Sequence, residues 1–242
     1  MTGTNAPALW ITGGGSGMGR AVARAAAALG WAVAVSGRRR EVLDEVVAEI
    51  AADGGEALAL PLDVRDKESV AEAAQTVADR FGSLDALVLA AGQNAPQRRW
   101  DDQDMGEFEQ IVGTNLTAVA TVIDAALPHL RQSSGIVVAI SSYAGWSFQP
   151  GAGVAYSASK TAVSSLIRTL NQQEAAHGVR ACHLCPGDVA TDFLEQRPQV
   201  PDAAARAVML TPEDIARTVS FVLESPAHVR IDELVVSPVS QA

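Results

Sequence analysis

The stretch "YSASK" sets Tyr156 four residues before Lys160, a spacing that places both side chains on one face of a helix. A phenol and an ammonium so arranged form a proton-handling pair. Free tyrosine titrates near pH 10, and a cation beside it favours the tyrosinate. The choice of lysine is pointed, because the chain has sixteen arginines and only two lysines, Lys67 and Lys160. No Asp, Glu, Lys or Arg occurs between Gln132 and Ser159, so this single cation would dominate the local field.

A second chemical signal lies near the start, in "ITGGGSGMGRAVARAAA", where an apolar run passes through a glycine-rich turn into a helical pattern. Gly13, Gly17 and Gly19 can supply a tight turn, close approach of backbone to a pyrophosphate, and close helix packing. The free amides and dipole of the helix N-terminus would hold the anion. The next apolar run ends in "VSGRRRE", where an acidic residue would select NAD and a cation NADP. Arg38 and Arg39 therefore predict NADP, with NAD as second choice. Three cations at a helix start oppose its dipole, which also implies an anion nearby.

These residues need a scaffold, and short apolar runs recur along the chain to provide it. They begin at Ala8, Ala32, Ala57, Ala86, Gly135, Val179 and Glu233, and their continuous apolar character suits strands buried on both faces. Helical patterns alternate with them, as in "REVLDEVVAEIAADGG" and "KESVAEAAQTVADRFGS". The expected α/β fold is a doubly wound parallel sheet of seven strands with helices on both faces, in one domain over 1–242. The segment "RPQVPDAAARA" reads as mobile surface rather than a domain boundary.

The net charge of −10 argues against nucleic acid or anionic membrane as a partner. "MTGTNAPALW" lacks the pattern of a signal peptide, and the neutral run before Lys160 is too polar for a lipid-facing helix, so the expected location is cytoplasmic. Cys182 and Cys185, in "CHLC", read as core residues on a strand that points them apart, not as a disulfide. His129, His183 and His228 lack ligand spacing, and no metal is expected.

Taken in order, the motifs resemble the short-chain dehydrogenase/reductase superfamily, in its compact branch. They are "TGGGSGMG" (12–19), "LDV" (62–64), "AAG" (90–92), "GTNL" with Asn115, "ISS" ending at Ser142, "YSASK", and "PGDVAT" (186–191). The resemblance spans nearly the whole chain. It implies a Rossmann-type fold and an oxidoreductase moving a hydride between nicotinamide and an alcohol or carbonyl. About 1–115 would bind the cofactor and about 116–242 the substrate. Tyr156 is then the acid/base, Ser142 the donor to the substrate oxygen, and Asn115 the holder of a water behind Lys160. Lysine's compact head and three donors would hold the nicotinamide ribose hydroxyls while relaying protons. The implied cofactor contacts are Gly13, Gly15, Ser16, Gly17, Met18, Gly19, Arg38, Arg39, Asp63, Val64, Ala91, Gly92, Tyr156, Lys160, Pro186, Gly187, Val189 and Thr191. Where the family commonly has Asn-Asn-Ala-Gly, this chain has Leu89, Ala90, Ala91 and Gly92, so side-chain hydrogen bonds usual there are missing.

The resemblance also implies a homotetramer, with a dimer as the alternative, paired through the helices beginning near Asn115 and Tyr156 and through the last strand. The ending "IDELVVSPVSQA" looks like that of reductases and hydroxy-acid dehydrogenases acting on small polar substrates. For the substrate, Arg98, Arg99 and Arg197 are candidate anion holders. Trp100, Trp146, Phe148 and Phe193 are candidates for an apolar wall, joined by the loop "GWSFQPGAG".

Overall fold

The structure, a computed structural model, describes residues 6–241. Strands β1 (Ala8–Thr12), β2 (Ala32–Gly37), β3 (Ala57–Pro61), β4 (Ala86–Leu89), β5 (Ile136–Ile140), β6 (Arg180–Pro186) and β7 (Glu233–Val236) form one parallel sheet. Their spatial order is β3-β2-β1-β4-β5-β6-β7. The order reverses between β1 and β4, and in such sheets ligands gather at the carboxyl ends of the strands beside that reversal. Between the strands run α1 (Gly17–Ala28), α2 (Arg40–Ala52), α3 (Lys67–Phe81), α4 (Met105–Val112), α5 (Ala118–Ser133), the short α6 (Tyr143–Trp146), α7 (Val154–Gln173), the short α8 (Ala203–Arg206) and α9 (Pro212–Leu223).

Alternation along β1 shows how the two helix layers are held. Ala8 and Trp10 face the core under α3, α5 and α7, whereas Leu9 and Ile11 face the core under α1, α2 and α9. All four are fully buried, and Trp10 satisfies its indole N–H on Ser36 Oγ at 3.1 Å. Local signals stop and start the helices where the sheet needs them. Asp66 caps α3, which ends at Gly82 with a φ of 84°, and Thr211 with Asp214 closes a capping box on α9.

The helical stretch Met105–Ser133 is apolar and long enough to cross a membrane by length and composition. Val119, Val122, Ala126 and Leu130 within it are buried against the sheet, which makes it a core helix. It is not uniform, because Gly113–Thr117 is wound as a π-helix. The segment read as mobile surface contains α8, capped by Asp202, and is tied back by the ion pairs Arg197–Asp188 and Arg206–Glu195.

Candidate functional site

The glycine turn after β1 is shaped for a ligand that needs bare backbone. Gly13 and Gly17 sit at positive φ of 68° and 50°, and a Cβ at Gly19 would lie 2.2 Å from the Gly13 carbonyl oxygen. Ser16 caps α1 without a side-chain bond, and no acidic residue stands in the first turn, so the positive helix end stays open to an anion. A cavity of about 250 Å³ lies over this turn. Gly13, Gly15, Ser16, Gly17, Met18, Gly19, Arg38, Arg39, Asp63, Val64, Ala91, Gly92 and Thr191 all line it. The predicted cofactor residues from the first half of the chain thus converge, and the cradle fits a dinucleotide.

Arg38 and Arg39 lie exposed at the end of β2, and neither has a carboxylate partner among the described residues. Arg40 behaves differently, pairing with Asp44 at 3.8 Å. Sequence reasoning missed Arg65, which lines the same cavity and grips Asp63 through its side chain at 2.7 Å and its backbone N–H at 3.0 Å. Those bonds hold the Asp63 carboxyl below its usual range. The signal was local, since Asp-x-Arg places the pair within one turn.

A second cavity, of about 600 Å³, adjoins the first, and Met18, Ala90, Gly92, Thr191 and Phe193 line both. Ser142, Tyr156, Lys160, Pro186, Gly187 and Val189 face this larger space. Ser142 leaves β5 as the cap of α6, accepting a bond from the Ala144 N–H at 3.2 Å. Tyr156 and Lys160 come from the first two turns of α7, which starts at Gly153 with a φ of 104°. Lys160 is buried, and its Nζ donates to the Ile140 carbonyl at 3.2 Å, at the end of the strand that carries Ser142. Gly92 lies opposite that ammonium, and a Cβ there would sit in ordinary contact with Nζ at 3.7 Å.

Burial is the main influence on the Tyr156 phenol and pushes it above its usual value, while Ser142, Arg98 and Arg197 work in the opposite direction. Burial likewise lowers Lys160 to about 8. Burial thus favours the protonated phenol, and the lysine can exchange its proton close to neutral pH.

Asn115 stands apart from both cavities, completely buried in the π-helical turn. Its Oδ1 accepts from the Gln93 N–H and its Nδ2 donates to the Gln93 carbonyl, both at 2.9 Å. Nδ2 also lies 3.4 Å from Ser159 Oγ. Through these bonds its side chain ties the exit of β4 to α7, and it restores an anchor to the segment where the "LAAG" sequence lacks amide side chains.

Of the four aromatics predicted to form an apolar wall, one takes that place. Phe193 lines the larger cavity and lies 6.1 Å from the Tyr156 ring, but Trp100, Trp146 and Phe148 are 83%, 50% and 79% exposed and line neither cavity. The loop residues carrying the other three turn outward, and Asn94, Gln149, Gln199 and Gln241 share the wall with smaller apolar residues such as Ile140, Val189 and Leu194. Gln241 lies far from every motif in sequence, yet accepts from the Asp188 N–H at 2.9 Å. Arg98 and Arg197 reach the cavity; Arg99 does not, being exposed and paired with Asp101 at 3.1 Å.

Cys182 and Cys185 are free and buried, with both thiols pushed up to about 12 by burial. Cys185, His183 and Glu233 do meet across β6 and β7, a proximity that linear spacing concealed. The Cys185 sulfur lies 3.3 and 3.7 Å from the two ring nitrogens of His183, so it packs against the ring rather than along one lone pair. His183 spends Nδ1 on Glu233 at 3.0 Å.

Known proteins place this architecture. The short chain dehydrogenase family matches residues 8–201. An uncharacterised oxidoreductase of Listeria monocytogenes is 33% identical over 241 residues, covering 96% of each chain. Among solved structures, an alcohol dehydrogenase of the archaeon Thermococcus sibiricus, complexed with 5-hydroxy-NADP, superposes with a TM-score of 0.88 at 31% identity over 98% of both chains. A metagenomic short-chain oxidoreductase in complex with NADP reaches 0.82 at 28% identity over 96% of both. With a glycine cradle opening onto a Ser-Tyr-Lys cluster at the sheet's switch point, and relatives matched from end to end, the chain belongs to the short-chain dehydrogenase/reductase superfamily of oxidoreductases, which bind nicotinamide dinucleotides.

Proposed function

We propose that the protein is an NADP(H)-dependent alcohol dehydrogenase or carbonyl reductase in which Tyr156 is the acid/base. The observation that carries this reading is the junction of the two cavities at Gly92, with Lys160 beside it and Ser142 and Tyr156 on the larger cavity's wall. Nicotinamide supplies or takes up the hydride. The first half of the chain, to about residue 115, contributes most of the cradle and Thr191 completes it, Arg38 and Arg39 hold the 2′-phosphate, and Lys160 uses its remaining donors on the ribose hydroxyls. Ser142 donates to the substrate oxygen as charge develops on it. Tyr156 then delivers its phenolic proton to that oxygen in reduction, or removes the proton in oxidation. Burial shifts the phenol further toward its protonated form, the form that donates in reduction. Two NADP-bound neighbours agree with the cofactor assignment, and a cytoplasmic homotetramer is part of the same reading.

Oxidation of NADPH and NADH by a panel of ketones and aldehydes, followed at the reduced-nicotinamide absorbance, tests the activity. For the cofactor, Arg38→Ala is expected to weaken NADPH binding more than NADH binding by about 1.5 to 3 kcal/mol, the scale of a hydrogen bond to a charged group. Equal losses would instead establish NAD as the partner. Cofactor binding without turnover across carbonyl and alcohol panels would identify a dinucleotide-binding regulator.

A further inference from the structure

Charge pairing sorts the arginines of this chain. Among the described residues, twelve of the sixteen have a carboxylate within ion-pair distance. The exceptions are Arg38, Arg39, Arg98 and Arg180. The first two face the smaller cavity. Arg180 uses one terminal nitrogen to gather the carbonyls of Ser225, Pro226 and Val229. Arg98 is the only one of the four in the wall of the larger cavity, where Ser142 and Tyr156 stand.

Its guanidinium is held as a fixed object. Nε donates to Ala95 O at 2.7 Å, one terminal nitrogen to Gly151 O at 3.2 Å, and the other to Gln196 O at 2.8 Å. Its stem lies against Gly153, where a Cβ would come within 3.1 Å of it. A guanidinium carries five N–H groups, so one on each terminal nitrogen is left over. Carbonyl oxygens satisfy donors but do not neutralise charge, and a half-buried cation without a counterion is costly. Arg197, in the same wall, is already paired with Asp188. Among the described residues, Arg98 and Lys160 are thus the two cations of this wall without a carboxylate, and Lys160 is the one already given to the chemistry.

We propose that Arg98 determines substrate specificity: the substrate is a carbonyl or alcohol compound bearing a carboxylate, which takes the free N–H groups of Arg98 while its reacting oxygen faces Ser142 and Tyr156. The proposal rests on the oxidoreductase reading of this site. The rest of the wall mixes apolar residues such as Ile140, Val189, Phe193 and Leu194 with the amides of Asn94, Gln149 and Gln241, which suits an acid with an apolar body.

The test compares matched pairs, 2-oxo, 3-oxo and 4-oxo acids of short chain length against their amides. Binding is measured by calorimetry to the NADP+-saturated protein, in which a ketone cannot be reduced, and kcat/KM is measured separately with NADPH. Wild type is expected to favour the acid by about tenfold or more at one chain length, and Arg98→Gln to bring the acid-to-amide ratio close to one. Arg98→Lys, which keeps the charge, is expected to retain part of the preference. If no acid is favoured at any chain length, or if Arg98→Gln weakens acid and amide equally, Arg98 is a structural clamp and the proposal is overturned. An acid preference in binding without turnover of any pair would uphold the anion site while refuting the oxidoreductase reading.

Discussion

Lys160 shows how one side chain can serve chemistry at a cost to folding. Its ordinary value of 10.5 falls to about 8 because the ammonium is buried. At pH 7 both folded and unfolded chains carry the proton, so the folded state bears a penalty on the order of 3 kcal/mol. Between about 8 and 10.5 the unfolded chain binds more protons than the folded one, and stability from this group rises with pH across that window. Lys160→Met is therefore expected to raise the urea midpoint at pH 7, with the gain shrinking as pH climbs through the window; a variant less stable than wild type at pH 7 would contradict this. The same substitution, and Tyr156→Phe, should each lower turnover by about a hundredfold or more while the circular dichroism of the fold persists, as expected when a positioned proton donor or its partner is lost. Either variant retaining half the wild-type rate would remove that residue from the chemistry.

The π-helical turn between α4 and α5 exists to hold a single residue inward. Such turns often mark functional positions, because the extra residue re-aims a side chain that regular winding would misplace. Here it lets Asn115 close both hydrogen bonds of the Gln93 peptide. Asn115→Ala would leave an N–H and a C=O unpaired in a part-buried site, for an expected loss of about 2 to 4 kcal/mol. Urea denaturation measures it, and a change below half a kilocalorie would show that the peptide finds other partners. A lowered kcat in that variant would follow from drift of Gly92 against Lys160, not from loss of a group that touches substrate.

Assembly belongs to the molecule as a whole, and its surface offers places for it. Among the described residues no strand pairs with the outer side of the edge strand β7, and Val235 on it and Phe221 on α9 are 37% and 60% exposed. Exposed edges and large apolar residues invite coverage by another copy. Light scattering is expected to give four times the 25.1 kDa chain mass, and Phe221→Asp with Val235→Asp to yield a smaller species. A wild-type monomer whose mass is independent of concentration would refute the tetramer.

Apolar runs, capping residues and glycines act over a few neighbouring positions, so the strands, the helices and the Tyr156–Lys160 spacing could be read directly from the chain. Seven runs became seven strands, and the glycine turn sits where "TGGGSGMG" placed it. Loop side chains follow another rule, for their direction depends on partners distant in sequence. Nothing near Trp100 or Phe148 says that they turn to solvent, and nothing near Gln241 says that it reaches Asp188. Arg98, Arg99 and Arg197 are the same residue type in similar loops, and linear order could not rank them. Folding separates them by what each meets: Asp101 for Arg99, Asp188 for Arg197, and only three neutral carbonyls for Arg98. The titration of Tyr156 follows the same division, since spacing put a lysine beside the phenol but the depth of burial, a property of the packed whole, sets which way its proton affinity moves.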